Sequence, residues 1–180
     1  IASPLDAAGS NRLLDALIDR HGTGRAMFRN RRAQVGGFPR RVPRLTTLDG
    51  SELDDGQRQH LLAEFHADLQ ATAPEIELPY ASDPRLVWLL DIIERLGSEK
   101  LLLICRSQAK VLALEEVLRT RSGVKVARFH EGMSLLQRDR NAAYFADAEG
   151  ARLLLCSEIG SEGRNFQFAH NLLLWDLPLD

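Results

Sequence analysis

The sequence predicts an α/β fold: an open, mainly parallel sheet flanked by helices, with an N-terminal helical and extended arm. Short apolar runs recur at Leu101–Cys105, Val124–Phe129, Arg152–Cys156 and Leu172–Trp175, which is how strands covered on both faces read in one dimension. The stretches between successive runs are a dozen or more residues long. Connections of that length join parallel neighbours, with right-handed crossovers as the expectation. Capping residues and glycines also fall where the apolar period changes, as at Gly123 and Ser134.

Residues 1–50 read as an N-terminal helix and an arginine-rich connecting arm. Asn11–Arg20 places Leu13, Leu14, Leu17 and Ile18 on one helical face and stops before Gly22. The segment His21–Leu48 then carries Arg25, Arg29, Arg31, Arg32, Arg40, Arg41 and Arg44 and no acid. Two readings stand side by side: a contact for nucleic acid or an acidic protein, and a solvated arm paired with acids elsewhere. Within it, Arg41–Leu48 is at best an edge strand, because Pro43 has no amide to donate. His21-Gly22-Thr23-Gly24 lacks both a preceding strand and a third glycine, so a dinucleotide fingerprint is rejected.

Residues 51–180 read as the globular unit. Ser51 with Asp54 caps a helix running to about Gln70, with Leu53, Leu61, Leu62, Phe65 and Leu69 as its packed face. Thr72–Tyr80, holding Pro74 and Pro79, is a loop. Asp83-Pro84 supplies an N-cap and a first-turn proline. The helix it opens turns Leu86, Val87, Leu90, Ile93 and Leu96 inward and ends before Gly97. Ser107–Thr120 is a helix with Val111, Leu114 and Leu118 on one face. Met133–Asp147 is another, opened by Ser134 and Gln137 at capping-box spacing.

A chain of 180 residues with 44% apolar content can bury one sizeable core. The net charge of −2 is unevenly laid out, since the acid-free segment concentrates arginine and leaves the rest of the chain acidic. Cys105 and Cys156, each closing an apolar run, read as buried free thiols in a reducing, cytoplasmic setting. No apolar run approaches the roughly 18 residues a bilayer-spanning helix needs. The start at Ile1 and the lack of a helix after Leu177-Pro178-Leu179-Asp180 suggest a piece of a longer polypeptide.

The chemistry is expected beyond the third apolar run. Ser157, Gly160, Ser161, Gly163 and Asn165 are small or amide-bearing, so backbone N–H groups there can approach a phosphate or ribose. Ligands of open parallel sheets bind beyond the carboxyl ends of strands. Turn punctuation is the competing reading of the glycines. His130-Glu131-Gly132 lies where a strand gives way to a helix N-terminus, a place suited to phosphate; alternatively it is a buried histidine followed by a turn. Arg138, one turn beyond Ser134, could reach a backbone phosphate, or is solvated like Arg140. Glu158 and Glu162 have no carboxylate or histidine partner placed by spacing, so acid–base catalysis is not argued. Cys105, Cys156 and His130 lack zinc-ligand spacing. Neither a G-x-x-x-x-G-K-[ST] loop nor an apolar strand ending in paired acids is present.

The blocks Leu101–Cys105, Phe129-His130-Glu131-Gly132-Met133 with Arg138 and Phe145, Leu153–Phe166 and Leu172–Asp176 resemble, in order, the later motifs of superfamily 2 helicase-like ATPases. Their wording is similar to the second RecA-like lobe of the Swi/Snf-type branch, and within it to the bacterial RNA polymerase-associated ATPases. The resemblance implies a DNA-dependent ATPase that translocates on double-stranded DNA and helps recycle RNA polymerase in transcription. It implies ATP and Mg bound mainly by a first RecA-like lobe of the same polypeptide, no catalytic or metal-binding residue in this lobe, and a bacterial, nucleoid-associated location.

Carried over position by position, the resemblance implies nucleotide binding by Gly160, Glu162, Gly163 and Asn165, and nucleic-acid binding by Gly132, Met133, Arg138 and Ser157. The family's His-Gly element is matched with Glu131 interposed, and Arg164 departs from the broader Swi/Snf branch, which often has an aliphatic residue there. The motif carrying the family's arginine finger is expected beyond Asp180, so this stretch alone is expected to be inactive. The rival readings are the lobe of another Swi/Snf-type remodeller and a non-catalytic α/β interaction module binding through Arg25–Arg44.

Overall fold

The structure, a computed structural model, describes residues 41–70, 78–158 and 165–176. Contacts divide the chain into Ile1–Thr46 and Thr47–Asp180, and the helices and strands described here lie in the second unit. The expected helix Asn11–Arg20 and the arginines before Arg41 lie outside the described residues, as do 71–77 of the expected loop. Residues 41–48 form no strand, and Val42 and Leu45 are exposed. The expected edge strand is therefore corrected, since Pro43 removes a donor where a strand needs a continuous ladder.

Four strands make the sheet: β1 (Leu101–Cys105), β2 (Val126–Phe129), β3 (Leu153–Ser157) and β4 (Asn171–Leu174). They lie in the order β2-β3-β1-β4, and each neighbouring pair is parallel. Leu103 stands opposite both Leu155 and Leu173, and Phe129 opposite Cys156. The carboxyl ends of all four strands consequently share one edge.

Alternation along the strands divides the core between two faces. Leu101, Leu103, Cys105, Leu153, Leu155 and Leu173 join one cluster, and Ala127, Phe129, Leu154 and Cys156 join the other. Every residue of β3 is buried, as a central strand requires. Edge strand β4 leaves Leu172 and Leu174 exposed.

Helices α1 (Asp55–Leu69), α2 (Pro84–Arg95), α3 (Gln108–Arg121) and α4 (Leu135–Ala146) surround the sheet. Asp83 caps α2 by accepting from the Arg85 amide, and Gly97 follows its end at φ 57°, in the left-handed region. Leu86, Leu89 and Ile93 face inward. Val87 is exposed, a correction of one position on the helical wheel. Helix α3 buries Val111, Leu114 and Leu118 as expected, together with Val117 and Lys110.

Helix α1 departs most from expectation. Its N-cap is Asp54, not Ser51, and Asp54 forms the capping box with Gln57. Leu62, Phe65 and Leu69 are 58%, 55% and 51% exposed, whereas Glu64 and Ala67 are buried. The helix docks through its polar side because a buried cation waits there. Lys110, 2% exposed, places Nζ 2.8 Å from Glu64, 2.6 Å from Asp68 and 2.7 Å from Asp176. Burial works against the ammonium charge, yet the carboxylates around it hold the Lys110 pKa above its ordinary value.

The same cluster takes in Arg85, which pairs with Glu64 and Asp83 and lies 4.7 Å over the Trp175 ring. Tyr80 donates its hydroxyl to Glu64 over 2.9 Å. Glu64, served by both cations, titrates below the ordinary range despite its burial. Asp68 is pushed upward because desolvation outweighs its single bond to Lys110.

Two stability outcomes follow from this inequality. Lys110→Met leaves buried carboxylates uncompensated and costs about 3–5 kcal/mol in urea denaturation. Asp68→Asn removes the least satisfied charge and changes stability by less than about 1 kcal/mol.

Candidate functional site

The shared carboxyl edge gathers the segments that follow each strand into a rim. After β1 come Arg106, Ser107 and Gln108; after β2, His130 to Ser134; after β3, Glu158; after β4, Trp175 and Asp176. Backbone and side-chain bonds stitch these segments together. The Glu158 amide donates to the Cys105 carbonyl over 3.1 Å and the Trp175 amide to the Ile104 carbonyl over 2.8 Å. The Arg106 amide donates to Asp176 over 2.7 Å, so the Lys110 cluster reaches the rim directly.

Two helices begin here. Ser107 caps α3 by accepting from the Lys110 amide over 3.3 Å. Ser134 caps α4, and the capping box is completed by Gln137, which accepts from the Ser134 amide over 2.9 Å. Their N-termini bring partial positive charge to the same edge. Gln108 joins them, because its Oε1 accepts from the Gly132 amide over 3.1 Å. A Cβ on residue 132 would meet that Gln108 amide and displace it from the Gly132 N–H.

The Glu131–Gly132 peptide group is held at both ends. Its N–H is the one Gln108 accepts, and its carbonyl accepts from the Arg138 guanidinium over 2.9 Å. Arg138 also lies 5.7 Å over the Phe129 ring. The Glu131 side chain then crosses to the next loop, where its Oε2 accepts the Ser157 hydroxyl over 2.6 Å. Burial works to raise the Glu131 pKa, but the Ser157 bond and backbone donors outweigh it, and the carboxyl stays below its usual range.

The residues expected from the sequence fall out as follows. Gly132 is exposed on the rim. Met133 is buried, with its amide donating to the His130 carbonyl over 3.1 Å. Arg138 is turned back onto the Glu131 carbonyl, and Ser157 is 1% exposed with its hydroxyl given to Glu131. These four come together within one connected set of bonds around the turn after β2. Asn165 is exposed, and Gly160, Glu162 and Gly163 lie outside the described residues. Gln108, Glu131 and Lys110 are the members that spacing did not single out for these bonds. A lysine inside the buried period of α3 was the one signal available.

Metal chemistry finds no fitting set among the described residues. Cys105 and Cys156 occupy different core clusters on opposite faces of the sheet, and burial pushes the Cys156 thiol up to about 12. The carboxylates of Glu64, Asp68 and Asp176 lie within 4.8 Å of one another, but Lys110 already supplies the cation between them. They do not fit magnesium.

The helicase conserved C-terminal domain profile matches residues 84–180. The chain is 49% identical over 178 residues to the RNA polymerase-associated protein RapA of Pseudomonas putida (strain GB-1), covering 96% of this chain and 19% of that protein. Against proteins of the same name, identity is 50% in Pseudomonas fluorescens (strain Pf0-1) and 50% in Stutzerimonas stutzeri (strain A1501), each at 96% and 19% coverage. The chain thus spans about a fifth of the length of the curated relatives it matches. A solved structure, the Sulfolobus solfataricus SWI2/SNF2 ATPase C-terminal domain, aligns at 16% identity with a TM-score of 0.48, covering 56% of this chain and 45% of that one.

His130 gives the site a pH dependence. His130 is 5% exposed, and neither ring nitrogen has a hydrogen-bond partner among the described residues. Desolvation, aided by the Arg128 charge and opposed by Glu131 and Glu115, holds its pKa below the ordinary 6.5. The unfolded chain therefore takes up a proton that the folded chain resists, and stability falls as pH drops below about 6.5. Comparing urea midpoints from pH 7.5 to 5.5, His130→Gln flattens that decline relative to the wild type.

Proposed function

Since the chain belongs to the family of helicase conserved C-terminal domains, we propose that it is the second RecA-like lobe of an RNA polymerase-associated, DNA-dependent ATPase. In this reading its rim closes over ATP held mainly by a first lobe and touches the backbone of double-stranded DNA. The observation that carries the reading is the exposed Gly132, set at the approach to α4 and bonded through Glu131 to the loop that begins at Ser157. The amides of Gly132, Met133 and Ser134 are donated within the protein, so the attraction for a phosphate comes from the partial positive charge at the N-terminus of α4.

Roles within the rim differ. Gly132 meets the DNA phosphate, and Met133, Arg138 and Ser157 act by holding the turn in place, since their side chains are buried or already bonded. Gly160, Glu162, Gly163 and Asn165 take the nucleotide-binding role that the motif resemblance implies. When bound, ATP would supply the phosphoryl group that passes to water, with magnesium offsetting its charge, and its binding between the lobes would draw them together. This lobe contributes position, while the first lobe holds magnesium. Association with the polymerase is carried over from the name of the relatives, and a part in its recycling from the motif resemblance.

Two measurements test the reading. The full-length protein is expected to hydrolyse ATP faster with duplex DNA, while the isolated 180-residue chain turns over none and binds DNA only weakly, with affinity falling steeply as salt rises. Gly132→Asp, which puts a negative charge where a phosphate would sit, should lower DNA affinity at least ~10-fold at low salt without changing polymerase binding. ATP turnover by the purified isolated chain, or DNA affinity indifferent to Gly132→Asp, would overturn the proposal.

A further inference from the structure

We infer that the outward face of α1 is a docking surface for an amphipathic helix of the same polypeptide, one that lies outside residues 47–180. This assigns a partner to a helix that the DNA-binding reading does not use.

Leu62, Phe65 and Leu69 lie three and four positions apart, the spacing of the seam along which two helices pack. Each is more than half exposed. Single exposed apolar side chains are common on protein surfaces, but three in register on one helix form a continuous stripe. Gln59, Ala63 and Gln70 border it and carry no charge, so the stripe selects a partner by apolar packing rather than by charge. A helix with aliphatic side chains at the same three- and four-residue spacing supplies the matching ridge.

The stripe faces outward because the opposite side of α1 is anchored. Glu64 meets Lys110 over 2.8 Å and accepts the Tyr80 hydroxyl over 2.9 Å, while Asp68 reaches Lys110 over 2.6 Å. Nearer the start of the helix, Gln57 Nε2 donates to the Ser82 carbonyl over 2.9 Å. Rolling α1 to bury Leu62, Phe65 and Leu69 would strip Lys110 of two of its three carboxylates and leave a buried charge poorly compensated. The residues that anchor α1 therefore keep the stripe open to another element.

Area decides what covers it. At about 200 Å² for a large apolar side chain, the exposed parts of the three amount to roughly 300 Å². Stable complexes of separate molecules bury about 800 Å² on each partner, so a second copy meeting this stripe across a two-fold axis falls well short. A helix joined to α1 through the chain needs far less, because its docking is intramolecular. The curated relatives, of whose length this chain spans about a fifth, hold ample chain for such a helix.

The test places the photo-crosslinking residue p-benzoylphenylalanine at position 65 of the full-length protein and, in a separate variant, a thiol at the same place (Phe65→Cys). Illumination of the purified protein is expected to give a monomer-sized product whose crosslinked peptide comes from outside residues 47–180. The Phe65→Cys thiol, followed by mass spectrometry of its own peptide, should react with maleimide at least ~10-fold more slowly in the folded protein than in urea. Phe65→Glu should lower the Tm, and Phe65→Leu, which keeps an apolar side chain, should lower it by clearly less.

No intramolecular product, a product confined to residues 47–180, a product joining two copies, or a thiol that reacts as fast folded as unfolded overturns the inference. An unchanged Tm in Phe65→Glu does the same. None of these readouts uses DNA or nucleotide, so they leave the functional reading untouched.

Discussion

Parallel pairing of the four strands is the constraint on which the rest of the molecule depends. Because β2, β3, β1 and β4 all run the same way, each hands its chain to a loop at one edge. Four segments far apart in sequence thereby meet at one edge. An antiparallel neighbour would have sent its loop to the opposite edge. The burial of every residue in β3 follows from the same arrangement, since helices must cover both faces of a parallel sheet.

Pairing sets the edge, and a buried cation secures it. Lys110 sits in the first turns of α3 and reaches carboxylates from α1 and from the residue just beyond β4. An ammonium so deeply placed is tolerated only because three acids surround it, and those acids are tolerated only because of Lys110 and Arg85. The mutual dependence draws in Asp176, whose second oxygen takes the Arg106 amide. Core and rim are thus continuous, and the loop that carries Ser107 and Gln108 is positioned by a charge cluster centred on the buried Lys110.

Much of the fold was legible in the sequence, and particular residues show where legibility stopped. Asp83-Pro84 and Ser134 with Gln137 are local signals, read by groups three or fewer residues away, and the structure bears them out. The four apolar runs became four strands within a residue or two of their expected bounds. Helix α1 misled because Leu62, Phe65 and Leu69 fall at helical spacing, and spacing does not say which side docks. The positions of Lys110, Arg85 and Tyr80, all distant in sequence, turn Glu64 inward. The same limit hid the Glu131–Ser157 bond: neither residue is unusual where it stands, and 26 positions separate them.

What the sequence by itself determined is therefore the inventory of strands and helices and their parallel order, together with the likeness that names the family. Caps, apolar periods and crossover lengths are short-range or stepwise properties, and physical chemistry reads them without a partner in view. What only the tertiary structure decided is which face of α1 is buried, how Lys110 is neutralised, and that Gln108, Glu131, Arg138 and Ser157 form one set of bonds. Those outcomes depend on distances through space between residues as far apart as Lys110 and Asp176, 66 positions along the chain. Such pairings exist only once the sheet has brought its strand ends to a common edge.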